Sequence, residues 1–301
     1  MSQEYENMEE REKSIGPWMM IWIKFKRNKL SLVGLCIFSL IILAIALGPI
    51  FSSHTRDFMN YKIANTPPTS SNWLGTDSLG RDYLTRLLHG GRISIQVGFL
   101  ATSISVFIGI IIGGTAGFYG GKIDSFLMRG TEIFSSFPFL PFAITLSAIF
   151  GGRVSPAMRM YIIMSIIGVL GWTGLARMIR GQILSLREQE FMLAAKAIGI
   201  SNRKQIFKHL IPNTFAYIIV NATLSIAGAI LTESGLSFLG LGVVEPVPTW
   251  GNMIQAAQNP YILSYRPWLW IPPGLAIFLT VMSINLVGDG LRDAIDPKSD
   301  N

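Results

Sequence analysis

Glu190-Phe-Met-Leu-Ala194-Ala195-Lys-Ala-Ile-Gly199-Ile-Ser201-Asn-Arg203-Lys-Gln-Ile-Phe-Lys-His-Leu-Ile-Pro212-Asn213 is a polar stretch set between two apolar runs. Phe191, Ala194, Ala195 and Ile198 fall at helical spacing on one face, Gly199 suits a left-handed stop, and Ser201 suits the cap of a second helix. That second helix has its own apolar residues, Ile206, Phe207, Leu210 and Ile211, and Pro212 is expected to close the unit. The pattern predicts a compact helix-turn-helix with basic residues outside. A helical hairpin of this kind serves equally well to pack on its own domain or to dock another protein, so its place in the chain decides.

Half of the 301 residues are hydrophobic and only 14% are charged, which points to an integral membrane protein. The single cysteine, Cys36, lies within an apolar run, so no disulfide framework or cysteine metal site is expected. The net charge of +7 comes from basic residues shared among loops between apolar runs, with no aromatic-interleaved patch, which argues against a nucleic-acid partner.

Residues 1–30 read as a cytoplasmic tail, acidic at first, followed by an interfacial helix in which Trp18 and Trp22 alternate with Lys24, Lys26, Arg27 and Lys29. Residues 31–51 form an uncharged run, read as a first transmembrane helix; cleavage near Ala46 is the alternative. Residues 52–93 are polar and turn-rich, then carry an apolar helical face at Tyr83, Leu84, Leu87 and Leu88 beside Arg86 and Arg92, and are expected outside the membrane, partly along its surface. The core spans residues 94–291, and 292–301 form a short cytoplasmic tail. Further apolar runs fall at about 94–117, 133–150, 160–178, 215–241 and 269–287. Gly109, Gly113 and Gly117 recur every fourth residue in the second run, a stripe suited to close helix packing or to lining a pore. The sequence Phe137-Pro138-Phe-Leu-Pro141 is expected to kink the third run, and Arg177 and Arg180 to snorkel from the end of the fourth. Gly117-Phe-Tyr-Gly120-Gly121-Lys122 fails as a phosphate loop, with Ala116 and Ile123 at positions that need glycine and a hydroxyl.

These runs predict an all-α, polytopic membrane protein with six transmembrane helices. An inside N-terminus leaves 17 of the 25 basic residues on inner segments and 8 on outer ones, so both termini and the loop 181–213 are expected in the cytoplasm.

A polar hairpin after the fourth span, with Ala194, Ala195, Gly199 and Pro212 in register, resembles the coupling loop of ATP-binding-cassette importer permeases. The acidic residue usual at the head of that pattern is replaced by Leu193. The stretches Trp73 to Asp82, Arg92-Ile-Ser94, Glu233 to Gly242, Pro248-Thr-Trp-Gly251 and Asn285 to Pro297 extend the likeness over most of the chain. They resemble the dipeptide/oligopeptide permeases, specifically the second of their two membrane subunits; nickel and other small-solute importers share the subunit type. The resemblance implies the type I importer permease fold and alternating access in the cell (inner) membrane. It implies a second homologous permease subunit, two cytoplasmic ATPases that use ATP and Mg, and an extracytoplasmic peptide-binding protein. No cofactor or metal is expected on this chain itself. Phe191, Ala194, Ala195, Gly199, Arg203 and Pro212 become the candidate ATPase-coupling residues.

Glu233, the one acidic residue well inside a predicted span, either lines the translocation path or bonds locally to Ser234 and Ser237. Asn285 is a second path candidate, with interhelical packing as its alternative. Asp77, Arg81 and Asp82 either receive the binding protein or pair within their own loop. Asp289, Arg292, Asp293 and Asp296 are expected to form a solvated helix end stopped by Pro297. His54, His89 and His209 are too scattered for a metal site. There is no nucleophile elbow, HExxH motif or intramembrane carboxylate pair to support catalysis. The rival from another class is an ATP-independent secondary transporter, which normally carries several intramembrane ionisable groups.

Overall fold

The computed structural model describes residues 16–52, 55–151 and 154–295, and these form helices joined by turns and loops. The acidic residues 1–15, His54, Arg153, Asp296 and Pro297 lie outside the described residues. Helix α1 is Pro17–Arg27 and α2 is Lys29–Phe51. Helix α3 is Tyr83–Tyr119, α4 is Gly121–Ser136, α5 is Phe139–Gly151 and α6 is Pro156–Arg187. The hairpin helix α7 is Glu190–Ala197, and α8 is Asn202–Phe238. Two short helices, α9 (Trp250–Ile254) and α10 (Pro260–Tyr265), precede α11, Ile271–Ile295. Five helices are long and apolar enough to cross a membrane, and α4 with α5 makes a sixth span if that bent pair is counted as one. The all-helical, six-run reading of the sequence therefore stands.

The glycine stripe explains the central contact, that of α3 with α6. A Cβ on Gly113 would lie 2.2 Å from the Ala176 carbonyl oxygen, and one on Gly109 2.4 Å from Leu175 Cδ2. Nothing larger than hydrogen fits there, so the two backbones touch. Helix α11 is seated against α2 in the same way: a Cβ on Gly34 would meet Leu286 Cβ at 2.7 Å. At the surface, Asn28 caps α2 by accepting from the Leu30 and Ser31 amides, and α1 turns Trp18 edge-on to Phe215 of α8 at 6.2 Å. Lys26 Nζ sits 4.9 Å from the Trp22 ring centre. Large apolar side chains such as Leu40, Phe107, Phe126 and Phe278 remain exposed, an arrangement suited to lipid or a partner helix rather than to water.

Four expectations need correction. First, residues 83–93 are not a segment separate from the second apolar run. They are the opening turns of the 37-residue α3, because Asp82 caps it by accepting from the Thr85 amide and hydroxyl at 2.8 and 2.7 Å. Gly90 and Gly91 leave that helix unbroken; their bare faces receive Thr249 and Trp250. Second, the third span begins before Ile133 and is bent by 79° between α4 and α5, where Phe137 has extended backbone ahead of Pro138. Third, Pro212 does not close the hairpin. The chain passes through it into the fifth span, with a π-helical turn over Gln205–Leu210 just before it. A widened turn removes the clash between the proline ring and the preceding carbonyl. Fourth, Arg180 does not snorkel: it grips Asp124 of α4, while Arg177 donates to the Ser135 hydroxyl.

Candidate functional site

The hairpin is carried by the end of α6. Only Glu188 and Gln189 separate α6 from α7, and Gly199 then reverses the chain at φ +75°. No atom lies within 4 Å of a Cβ built on Gly199, so the backbone rather than space selects glycine. Ser201 begins α8 with no side-chain cap bond; Gln205 instead donates to the Ile200 carbonyl at 2.6 Å and steadies the turn. Of the four residues expected on one face, Phe191, Ala194, Ala195 and Ile198, three are open and one is covered. Phe191, Ala194 and Ile198 are exposed, whereas Ala195 is buried with Met192 against the chain's own helices. Arg203 and Pro212 are exposed and border a groove of about 590 Å³ with Lys204, Phe207 and Lys208.

Behind the hairpin the shaft is fixed by two arginines. Arg180 holds both oxygens of Asp124, and two turns on, Arg187 Nη1 donates to the carbonyls of Phe118 (3.2 Å) and Gly117 (3.4 Å) at the end of α3. A cation on the last carbonyls of a long helix answers both their missing hydrogen bonds and the helix dipole.

At the opposite end of the bundle, the stretches singled out in the sequence converge. Arg81 Nε contacts Asp77 Oδ2 at 2.6 Å, and Glu245 takes Arg81 on one oxygen and Arg86 on the other, each at 2.7 Å. Burial alone would lower the Arg81 pKa, but the Glu245 and Asp77 carboxylates outweigh it and the pKa is raised. Asp82 accepts from Asn72 Nδ2 at 2.8 Å besides capping α3. Asp77, Arg81 and Asp82 are all buried, and each is paired within this cap. Trp250 joins the same region, its ring N–H donating to the Leu87 carbonyl and its amide to Ser94 Oγ.

Glu233 is fully buried beneath this cap. Ser237 donates to Glu233 Oε1 at 2.6 Å and accepts from the Val243 amide at 3.0 Å; Ser234 Oγ makes no such bond. Asn285 is exposed and lines a cavity of about 530 Å³ along α11 with Leu231 of α8. Sequence reasoning missed Asp124, Arg187 and Glu245. Asp124 and Arg187 are single charges at helix ends, and Glu245 is one carboxylate ahead of a proline, so nothing in their spacing set them apart.

An all-helical bundle of up to six candidate spans, with an exposed hairpin between the fourth and the fifth, has the architecture of a multi-pass membrane protein. Residues 105–301 match the family of binding-protein-dependent transport system inner membrane components, and residues 16–68 match the N-terminal transmembrane domain of oligopeptide transport permease C. The chain is 40% identical to the oligopeptide transport system permease protein OppC of Bacillus subtilis, over 95% of this chain and 92% of that one. It is 43% identical to OppC of Haemophilus influenzae (93% and 88% covered) and 42% identical to the dipeptide transport system permease protein DppC of Bacillus subtilis (92% and 84%). The chain belongs to the binding-protein-dependent transport permeases of the inner membrane. Members of this family work with partner subunits, and ATP is handled there.

Proposed function

We propose that the chain is the membrane-spanning subunit of an ATP-driven importer of di- and oligopeptides. It pairs with a second, related permease, two cytoplasmic ATPases and an extracytoplasmic peptide-binding protein. Both termini and α7 face the cytoplasm, in keeping with the distribution of basic residues. The observation that carries the reading is the division of α7: Met192 and Ala195 anchor it, while Phe191, Ala194 and Ile198 stand outward within reach of a partner. Small Ala194 lets a groove on an ATPase approach closely. Closure of the ATPase pair then moves α7, and through it α6 and α8, as a rigid body that alternates the opening between the two sides. The likeness to oligopeptide and dipeptide permeases supports peptides over nickel or other small solutes.

Disulfide crosslinking tests this docking. Cys36 is the only cysteine, so Cys36→Ser gives a clean background. Ala194→Cys is expected to crosslink to an ATPase subunit carrying cysteines along its groove, and Ala195→Cys, being buried, is not. Crosslinking of neither, or of both alike, would contradict the docking.

A further inference from the structure

A cavity of about 420 Å³ lies between α6, α8 and α11 near their hairpin-side ends. Gln182, Tyr217, Asn221 and Arg292 converge on it, with Met178 and Leu224 among its apolar walls. Asn221 uses its Nδ2 on the Tyr217 carbonyl at 3.0 Å. Its Oδ1, the Tyr217 hydroxyl, the Gln182 amide and the Arg292 guanidinium have no hydrogen bond or ion pair among the described residues. Polar side chains set between membrane helices and left without protein partners mark a water-filled or ligand-bearing space.

A second cavity lies further along the same two helices, α8 and α11. Tyr217, Asn221, Leu224 and Leu231 recur at helical spacing on one face of α8, and Met282, Asn285, Asp289 and Arg292 do so on α11. The outer members of both rows line the cavity of about 530 Å³ that contains Asn285, and the inner members line this one. The outer part is apolar apart from Asn285 and Asp289; the inner part gathers the remaining polar groups.

We propose that the inner cavity is a peptide main-chain subsite on the translocation route, in which Arg292 takes the terminal carboxylate. The proposal rests on the reading of the chain as a peptide importer. Two amides and a hydroxyl match the N–H and C=O groups that every peptide has, and a guanidinium matches the carboxylate that every unmodified peptide ends with. The apolar walls add contact without direction, so side chains of different kinds fit. The volume lies in the usual range for small-molecule sites. A phospholipid headgroup fits less well, since it would use the guanidinium and leave most of the amide pairing unmet.

The test uses the complete transporter in nanodiscs, without its binding protein, and a tripeptide with central p-benzoylphenylalanine, as free acid and as C-terminal amide. On irradiation the free acid is expected to label Met178 or Leu224 about tenfold more than the amide, the effect of one charge-assisted contact. Arg292→Gln is expected to erase that preference and Arg292→Lys to keep part of it. Equal labelling by both forms, no labelling of these walls, or a bound phospholipid that excludes the free acid would overturn the subsite. ATP-driven uptake of the same free acid, with the binding protein present, separates the two ideas. Uptake without labelling removes only the subsite, whereas no uptake removes the importer reading itself.

Discussion

Arg180 holds Asp124 side-on, with Nε 2.5 Å from Oδ1 and Nη2 2.6 Å from Oδ2. Guanidinium and carboxylate are matched planar forks, so the pair fixes the orientation of α6 against α4 as well as its distance. Arg187 adds a second tie to the end of α3, and α7 begins three residues later. Any displacement of α7 is therefore expected to reach α3 and α4 as well as α6.

Asp124→Ala and Arg180→Ala should each lower the number of peptides imported per ATP hydrolysed, several-fold, while the subunit still reaches the membrane. The double variant should be little worse than either single one, since both remove the same contact, worth about 1–2 kcal/mol. Additive losses in uptake per ATP would show that the pair does not act as one link.

Gly113→Val should separate α3 from α6, because the Ala176 backbone already fills the space a Cβ needs. A cost of about 1–3 kcal/mol is expected, read as a lower midpoint of thermal unfolding in detergent. Gly130→Ala is the control, as nothing lies within 4 Å of its Cβ position. Equal midpoints for the two variants would remove the packing role of the stripe.

Glu245→Ala should destabilise the outer cap more than its partial exposure suggests. Arg86 is 1% exposed and, among the described residues, would keep only Asp77, at 3.6 Å, as a counter-charge. Stranding a buried guanidinium in this way costs about 3 kcal/mol. The combination Arg86→Met with Glu245→Ala should recover much of the loss. A single variant as stable as the parent would show that Glu245 does not hold the cap.

Much of the architecture was legible because lipid demands long apolar runs, and those runs are easily counted. The apolar run from about Ser94 and the glycine stripe within it were written in the sequence, but not the helix that the stripe meets. What was not legible lay at the ends of helices. The start of α3 was readable as a helical face at Tyr83, Leu84, Leu87 and Leu88, but not as one helix with the run from Ser94, because His89, Gly90, Gly91 and Arg92 interrupt the apolar pattern. The passage through Pro212 depends on a π-helical turn, which leaves no compositional trace. The ties Arg180–Asp124 and Arg81–Glu245 join residues 56 and 164 positions apart, and pairing at that range follows from packing alone. The hairpin was readable as a unit, but its division into an anchored and an open side was not, because Ala194 and Ala195 are identical neighbours.

Gly199→Val should abolish uptake while leaving the subunit in the membrane. A β-branched residue at φ +75° is strained by about 1–2 kcal/mol or more, whereas Gly199→Asn, which tolerates left-handed backbone, should retain most activity. Uptake that is equal for the two variants would mean that the turn is not needed for coupling.

Glu233→Gln should keep normal uptake, since an amide oxygen still accepts from Ser237. Glu233→Ala should be less stable, through the loss of that bond and the packing around it. Loss of uptake of particular peptides in Glu233→Gln, with stability unchanged, would instead restore the translocation-path role.

The most direct test is reconstitution. The tagged subunit is purified from its native membrane in mild detergent with whatever accompanies it, placed in liposomes, and assayed for peptide uptake and ATP turnover with and without the binding protein. The account predicts that a second permease and ATPases co-purify, and that uptake requires ATP and the binding protein together. Purification of the chain alone, with uptake that proceeds without ATP, would contradict it and leave a secondary transporter in its place.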